Sequence, residues 1–243
     1  IVHYHIQVDD NVDFSSPEVD VIEGSGSAEP RVDVIHTTTV LADGDYYWRV
    51  KAIDDEAGES TWATANGGAV AFKVDATAPT APGNLTLNAK NSTTVTLNFG
   101  AQTTETNFDT YKIFYKAGAS GVLESDTPHA DVNLASINYN AASTTTIGSL
   151  TPSTQYVFNI WAYDLAAGKA SATEITVTTD VANTAPNTPV IDTYNTGAWT
   201  NDDTPDLQFD LSDPDAGDIV HYHIQVDDNV DFSSPEVDVI EGS

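Results

Sequence analysis

Acidic residues at short spacings are the strongest chemical signal in this sequence. Asp213-Pro-Asp215-Ala-Gly-Asp218 presents three carboxylates within six residues, and Asp54-Asp55-Glu56-Ala-Gly-Glu59 presents four. Carboxylates this close repel one another unless a cation lies among them, and hard oxygen ligands suit calcium. The D-x-D-x-G-D spacing of the first run lacks the terminal Glu of an EF-hand loop. Asp is also a favoured turn residue, so the same acids fit a solvated surface adapted to high salt.

Other constellations are weaker. His3-Tyr4-His5 and its repeat His221-Tyr222-His223 place two imidazoles at i and i+2, on one face of a strand. A metal pair would lack a third ligand there, and the polar outer face of a half-exposed strand is the simpler reading. Trp48 and Trp161 alternate within strand-like runs and are expected in the core. Trp62 and Trp199 fall in connections and are the candidates for a carbohydrate platform. Neither G-x-S-x-G, H-E-x-x-H, a P-loop nor a strand-linked G-x-G-x-x-G occurs. Loop carboxylates also lack the apolar pocket that raises a pKa for acid catalysis. The reading is therefore not an enzyme, with no catalytic or cofactor-binding residue.

The overall charge agrees with the acidic loops. The chain has 37 acidic and 8 basic residues, a formal charge of −29 over 243 positions. That balance excludes nucleic acid and anionic membrane surfaces as partners, because phosphate contacts need Lys and Arg. With no Cys, disulfides, zinc fingers and thiol catalysis are excluded. With no Met there is no initiator, so a mature segment or an excerpt is expected. No apolar run is long enough to span a bilayer.

A duplication organises everything else. Residues 219–243 repeat residues 1–25 without a difference, at an offset of 218. The simplest reading is slightly more than one period of a tandem array. Short alternating β-rich segments are spaced along the chain, clearest at TVTLNF (94–99), YKIFYK (111–116), TTTIGSL (144–150), QYVFNIWAYD (155–164) and EITVTT (174–179). Turn clusters separate them and no sustained 3.6-residue period appears. About seven short strands in roughly 100 residues is the pattern of a β-sandwich.

The segment 76–180 resembles a fibronectin type III domain. It opens with TAPTAPGNLTL and carries L-x-P-x-T-x-Y as Leu150, Pro152, Thr154 and Tyr156, similar to that family's tyrosine corner. The resemblance implies that the Tyr156 hydroxyl bonds to nearby backbone. The long polar stretch 117–143 departs from the pattern and suggests an enlarged middle connection. Residues 181–218 supply TPVIDTYN and PDLQFDLSD, and residues 1–75 supply HYHIQVDD, PEVDVIEG, RVDVIHTTTV, DYYWRVKAIDD and AVAFKVD. Taken in that order they make a second seven-strand set, resembling divergent fibronectin-III-like or Ig-like modules of bacterial surface proteins. Tyr46–Asp54 also lies over Tyr156–Asp164, and each run then reaches Ala-Gly.

The expected fold is all-β: tandem seven-stranded fibronectin-III/Ig-like β-sandwiches, the second split across the chain ends. Its parts are 1–75 (strands C to G of a module), 76–180 (a complete fibronectin type III domain) and 181–243 (the start of the next copy). Cut this way, each stump exposes apolar sheet faces and open edges. The next repeat, or another chain adding strands head to tail, would cover them. By the resemblance, the B–C and F–G loops share the pole facing the preceding linker. That would gather Asp213, Asp215, Asp218, Asp54, Asp55, Glu56 and Glu59 with Asp180 at one junction, and Asp75, Asp9, Asp10, Asp109, Asp164, Asp202 and Asp203 at the other. Calcium there would stiffen the linkers. The functional expectation is a structural repeat of an extracellular, cell-surface fibre, adhesin stalk or surface layer, with neighbouring copies and surface glycans as partners. The alternative is a spacer or carbohydrate-binding array of a secreted polysaccharide-degrading enzyme. Two sequons, at Asn84 and Asn91, permit N-glycosylation.

Overall fold

The computed structural model describes residues 2–23 and 34–241. Their regular elements are β-strands and short 3₁₀ turns, and every strand pair is antiparallel. The protein is all-β.

The first body is one sheet. β1 (Val2–Asp9) and β2 (Val19–Glu23) form a hairpin, and β3 (Gly44–Asp54) pairs with β1 from Val2↔Asp54 to Asp9↔Tyr47. β4 (Ala63–Thr64) and β5 (Phe72–Val74) both pair with β3, giving the order β2-β1-β3-β4 with β5 also on β3. Period-2 alternation sends Ile6 and Val8 to one face, with Tyr46, Trp48 and Val50 beside them, and His5, Gln7, Arg49 and Lys51 to the other. Val8, Val19 and Tyr46 are buried, with Trp48, Phe72 and Val74 packed around them.

The rest of that apolar face is open. A cleft of about 580 Å³ runs over Tyr4, Ile6, Val34, Trp48, Val50 and Phe72. The expected strand RVDVIHTTTV does not form in its described part, residues 34–40; Ile35 is 86% and Val40 100% exposed. A strand needs a partner for its ladder, and among the described residues none pairs with this segment.

The central body shows what such a partner looks like. β6 (Thr86–Lys90), β7 (Val95–Asn98) and β10 (Thr144–Ile147) form a three-stranded sheet in the order β10-β7-β6. β8 (Phe108–Ala117), β9 (Thr127–His129), β11 (Gln155–Asp164), β12 (Lys169–Ser171) and β13 (Ile175–Thr178) form the other sheet. Its order is β12-β11-β8-β9, with β13 also on β11. Leu85, Val95, Leu97 and Ile147 from one side meet Ile113, Phe158, Ile160 and Val177 from the other in a closed core. The pairing of β1 to β5 repeats that of β8, β9, β11, β12 and β13 strand for strand, so the described residues of the first body correspond to one sheet of such a sandwich.

The enlarged connection 117–143 is ordered. It contains β9 and two 3₁₀ turns, Val132–Ala135 and Tyr139–Ala141, which insert Leu134 and Tyr139 into the core. Val122 covers the outer face of the sheet with Phe114, Val157 and Trp161. Trp161 thus packs under this connection, outside the main core.

Residues 181–241 form two separate pairs, β14 (Val190–Ile191) with β15 (Phe209–Asp210) and β16 (Tyr222–Val226) with β17 (Val237–Glu241). The two opening strands expected from TPVIDTYN and PDLQFDLSD shrink to two residues each. A cleft of about 710 Å³ separates the two pairs from full contact, lined by Ile191, Leu207, Phe209, Tyr222, Ile224 and Val226. Phe209 packs edge-on to Tyr222 at 5.0 Å between ring centroids.

Candidate functional site

Three acidic groups gather carboxylate oxygens within 4.8 Å among the described residues: Asp213, Asp215 and Asp218; Asp9, Asp10 and Glu18; and Asp227, Asp228 and Glu236. The last two are one group in two copies, since the 218-residue offset carries each residue onto its counterpart. The hairpin turn itself creates it. Asp9 accepts from the Asn11 and Ser16 amides at 2.8 and 3.3 Å, and the Asp10 amide donates to Glu18 at 3.1 Å. Asp227 and Asp228 repeat these bonds with Asn229, Ser234 and Glu236. The Asn229 amide holds the Asp227 carboxyl below its usual range. Sequence reasoning missed Glu18 and Glu236, which approach from across the turn, just ahead of β2 and β17.

In the 213–218 loop the Asp215 amide donates to Asp213 at 2.7 Å, and Asp215 accepts from the Thr184 amide in the incoming linker. Three carboxylates plus backbone and water oxygens fit part of the six to eight ligands that calcium takes.

The other predicted ligands lie outside these three groups. Asp54 Oδ1 accepts from the Glu56 and Gly58 amides at 3.0 and 2.6 Å, and Asp164 Oδ1 from the Ala166 and Gly168 amides at 2.8 and 2.7 Å. Ala57 and Ala167 follow with φ of 65° and 69°. The shared D-x-x-A-G is thus one turn made twice, pinned by a carboxylate. A Cβ on Gly58 would lie 2.6 Å from Asp54 Oδ2, and one on Gly168 2.2 Å from Asp164 Oδ2. Asp55 and Glu56 are exposed on that turn. Asp75 accepts from Asn107 Nδ2 at 2.9 Å, which ties the first linker to the central body. Asp180 pairs with Lys90 at 2.7 Å and takes its place at the β6–β7 turn. Among the described residues, neither Asp54–Glu59 nor Asp180 joins the Asp213 group, and Asp75 and Asp164 join none.

The tyrosine corner is in place: the Thr151 amide donates to the Tyr156 hydroxyl at 3.0 Å. Tyr46 makes a counterpart, its hydroxyl donating to the Ala42 carbonyl at 3.0 Å.

His5, Trp62 and Arg49 build a layered outer face on the first sheet. His5 bonds to Asp20 and lies 4.9 Å from Trp62, while His3 Nδ1 is buried without a partner. The His5 contact depresses the Asp20 carboxyl. The Arg49 guanidinium sits 4.1 Å over Phe14 and 4.4 Å over Trp62, with Lys51 5.0 Å from the same indole. Cations therefore cover Trp62. Trp199 is fully exposed.

The family model described as the Fibronectin type III domain matches residues 80–178, from just ahead of β6 to the end of β13. The match covers the central body, whose fold is that of the family. Among solved structures, the chain is similar to a fibronectin type III domain of human fibronectin type III domain containing protein 3. That likeness has 18% identity and a TM-score of 0.33, covering 45% of this chain and 93% of that one. It is also similar to the FN1-FN3 domains of chicken CNTN1, at 18% identity and a TM-score of 0.39, covering 74% and 56%. A third likeness is to chitinase ChiA74 from Bacillus thuringiensis, at 31% identity and a TM-score of 0.33, covering 45% and 14%. No curated protein matches. Among the described residues no helix is long and apolar enough to cross a membrane.

Proposed function

We propose that the chain is a structural repeat unit of a long extracellular array, a series of β-sandwiches that gives a surface protein reach. The observation that carries this reading is the identical 25-residue sequence on both sides of the segment that the fibronectin type III model matches, at an offset of 218 residues. A duplication of that length with no difference between copies fits a polymer of like units. Calcium belongs to the reading as a stiffener of acidic loops; the Asp213 group and the charge of −29 support it.

Small-angle scattering on chains of one, two and three 218-residue periods tests the proposal. The maximum dimension is expected to grow by a constant increment, roughly 70–90 Å per period for two sandwiches of ten-residue strands at ~3.3 Å rise plus loops. Growth as a compact particle overturns it. A chelator should increase flexibility and lower the melting temperature of the array, and no change in either removes calcium from the reading. The alternative, a carbohydrate-binding array, calls for a row of exposed aromatics. Cations cover Trp62, and of the four tryptophans Trp199 alone is exposed.

A further inference from the structure

We infer that the linker between the first sheet and the central domain, residues 75–80, is a fixed joint made by the protein's own hydrogen bonds and needing no metal ion. Asp43 holds it on one side, and Asn107 with Thr103 and Thr104 on the other. The inference deepens the repeat reading, in which the joints between sandwiches set the reach, and takes its biological meaning from it.

The joint begins where β5 ends. Gly44 pairs with Val74, so Asp43, the residue before β3, lies beside the chain as it leaves the sheet. The Asp43 carboxylate accepts from the Ala76 amide at 2.7 Å. That bond, with the Thr77 hydroxyl and amide, keeps the Asp43 carboxyl below its usual range. Asp43 is itself placed by the Tyr46 corner, whose hydroxyl donates to the adjoining Ala42 carbonyl.

The central domain takes the other end. Asn107 Nδ2 donates to Asp75 at 2.9 Å, so a neutral amide satisfies that carboxylate without a cation. Asn107 is held in turn, its amide donating to Glu105 at 2.8 Å and its carbonyl accepting from the Leu165 amide at 2.9 Å. Pro79 is buried. The Thr80 amide donates to the Thr104 carbonyl at 3.3 Å, the Thr104 amide to the Thr80 hydroxyl at 2.7 Å, and the Thr103 hydroxyl to the Thr80 carbonyl. Thr103 is 4% exposed, and its amide donates to the hydroxyl of the core residue Tyr111 at 2.8 Å. This anchor is interior, where a hydrogen bond is stronger than in water. Between the two ends, the chain passes close to the Asp164 turn: a Cβ on Gly168 would lie 3.3 Å from Ala78 Cα.

Domains of one chain move on one another by default. Here little of the linker is free to rotate. Proline fixes φ at position 79, and Asp75, Ala76 and Thr80 are each bonded to one body or the other. The next linker is built differently. Asp180 to Pro186 is two residues longer than Asp75 to Pro79, and Val181 is 69% exposed. Counting back from the corner tyrosines, Ser153 stands where Asp43 does, with no carboxylate to hold the departing chain. The fixed joint thus belongs to Asp43 and Asn107 and, on the repeat reading, recurs once per period.

Pulsed dipolar spectroscopy on the 243-residue chain tests the joint, since the absence of cysteine lets two labels be placed at chosen sites. Ala69→Cys and Val132→Cys put spin labels on exposed positions of the two bodies. One narrow distance distribution is expected, the same with a chelator as with added calcium. Asp43→Ala combined with Asn107→Ala should broaden it about twofold or more, the freedom of an unbonded linker. Asp43→Asn, which keeps an acceptor for the Ala76 amide, should leave it narrow. Fluorescence-monitored unfolding checks that both bodies persist, and should the double variant lose one, Asp43→Ala alone carries the test. A broad distribution in the parent overturns the inference. One that narrows only with calcium overturns it in favour of a bound cation, and one unmoved by the alanine variants takes the joint away from Asp43 and Asn107. Compact growth in the scattering experiment beside a narrow distribution removes the repeat reading and leaves the joint; constant growth beside a broad distribution does the reverse.

Discussion

Val8 and Val226 are the same residue in two copies of one hairpin, yet Val8 is 2% exposed and Val226 38%. Their cross-strand registers match, Val8 opposite Val19 and Val226 opposite Val237. Local sequence therefore sets the hairpin, and β3 sets the burial. The same substitution should then have two costs. Val8→Ala is expected to destabilise the first body by about 2 kcal/mol, the lost methyls plus a residual cavity. Val226→Ala is expected to stay within about 0.5 kcal/mol. Urea unfolding followed by tryptophan fluorescence measures both, and equal costs would show that the two hairpins share one environment.

The two tyrosine hydroxyls make separable contributions. Tyr156→Phe removes the acceptor of the Thr151 amide, and Tyr46→Phe removes the donor to the Ala42 carbonyl. Each should cost about 1 kcal/mol. Tyr156→Phe should lower only the melting transition of the central domain, and Tyr46→Phe only that of the first sheet. Calorimetry resolves the two, and a joint shift would mean the bodies unfold as one.

Much of this was legible in the sequence, and the failures have a common origin. QYVFNIWAYD marked the limits of β11 directly, because alternation and the closing D-x-x-A-G turn are local. The Leu150–Tyr156 corner was readable from its Leu, Pro and Tyr spacing. Its counterpart before Tyr46 was not, because LADGDY lacks the Pro and is a residue shorter. The segment 34–40 has strand composition but no strand, since a ladder is made by a partner distant in sequence. The same nonlocality hid Glu18, which reaches the Asp9–Asp10 turn from the residue before β2.

The D-x-x-A-G turns make opposite predictions at adjacent positions. Ala167 holds a φ of 69°, which strains a residue with a Cβ, so Ala167→Gly should stabilise the central domain by about 0.5 kcal/mol after the entropy cost of glycine. Gly168→Ala should destabilise it by about 2 kcal/mol or more. Its Cβ would displace the Asp164 carboxylate, and with it the bonds from the Ala166 and Gly168 amides. Thermal melts of the two variants should move in opposite directions, and parallel shifts would refute the turn's role.

His129 gives the central domain a pH dependence of defined sign. Thr145 donates its hydroxyl proton to Asp131 at 2.6 Å, so it must accept from His129 Nε2 at 2.7 Å, which fixes the neutral ring with its proton on Nε2. Burial lowers the His129 pKa from 6.5, against the opposing pull of the Asp131 carboxylate. A histidine whose folded pKa is depressed contributes stability that is fully present above its unfolded value, about 6.5, and is lost as pH falls through the folded value. The melting temperature of the domain should therefore fall as the pH drops below about 6.5. Below that window, protonation of the surplus acids relieves their repulsion and works the other way. His129→Gln keeps an amide donor near Thr145 without a titrating group. Its melting temperature should be nearly flat across the same window, and a variant that tracks the parent would assign the pH dependence to the other histidines.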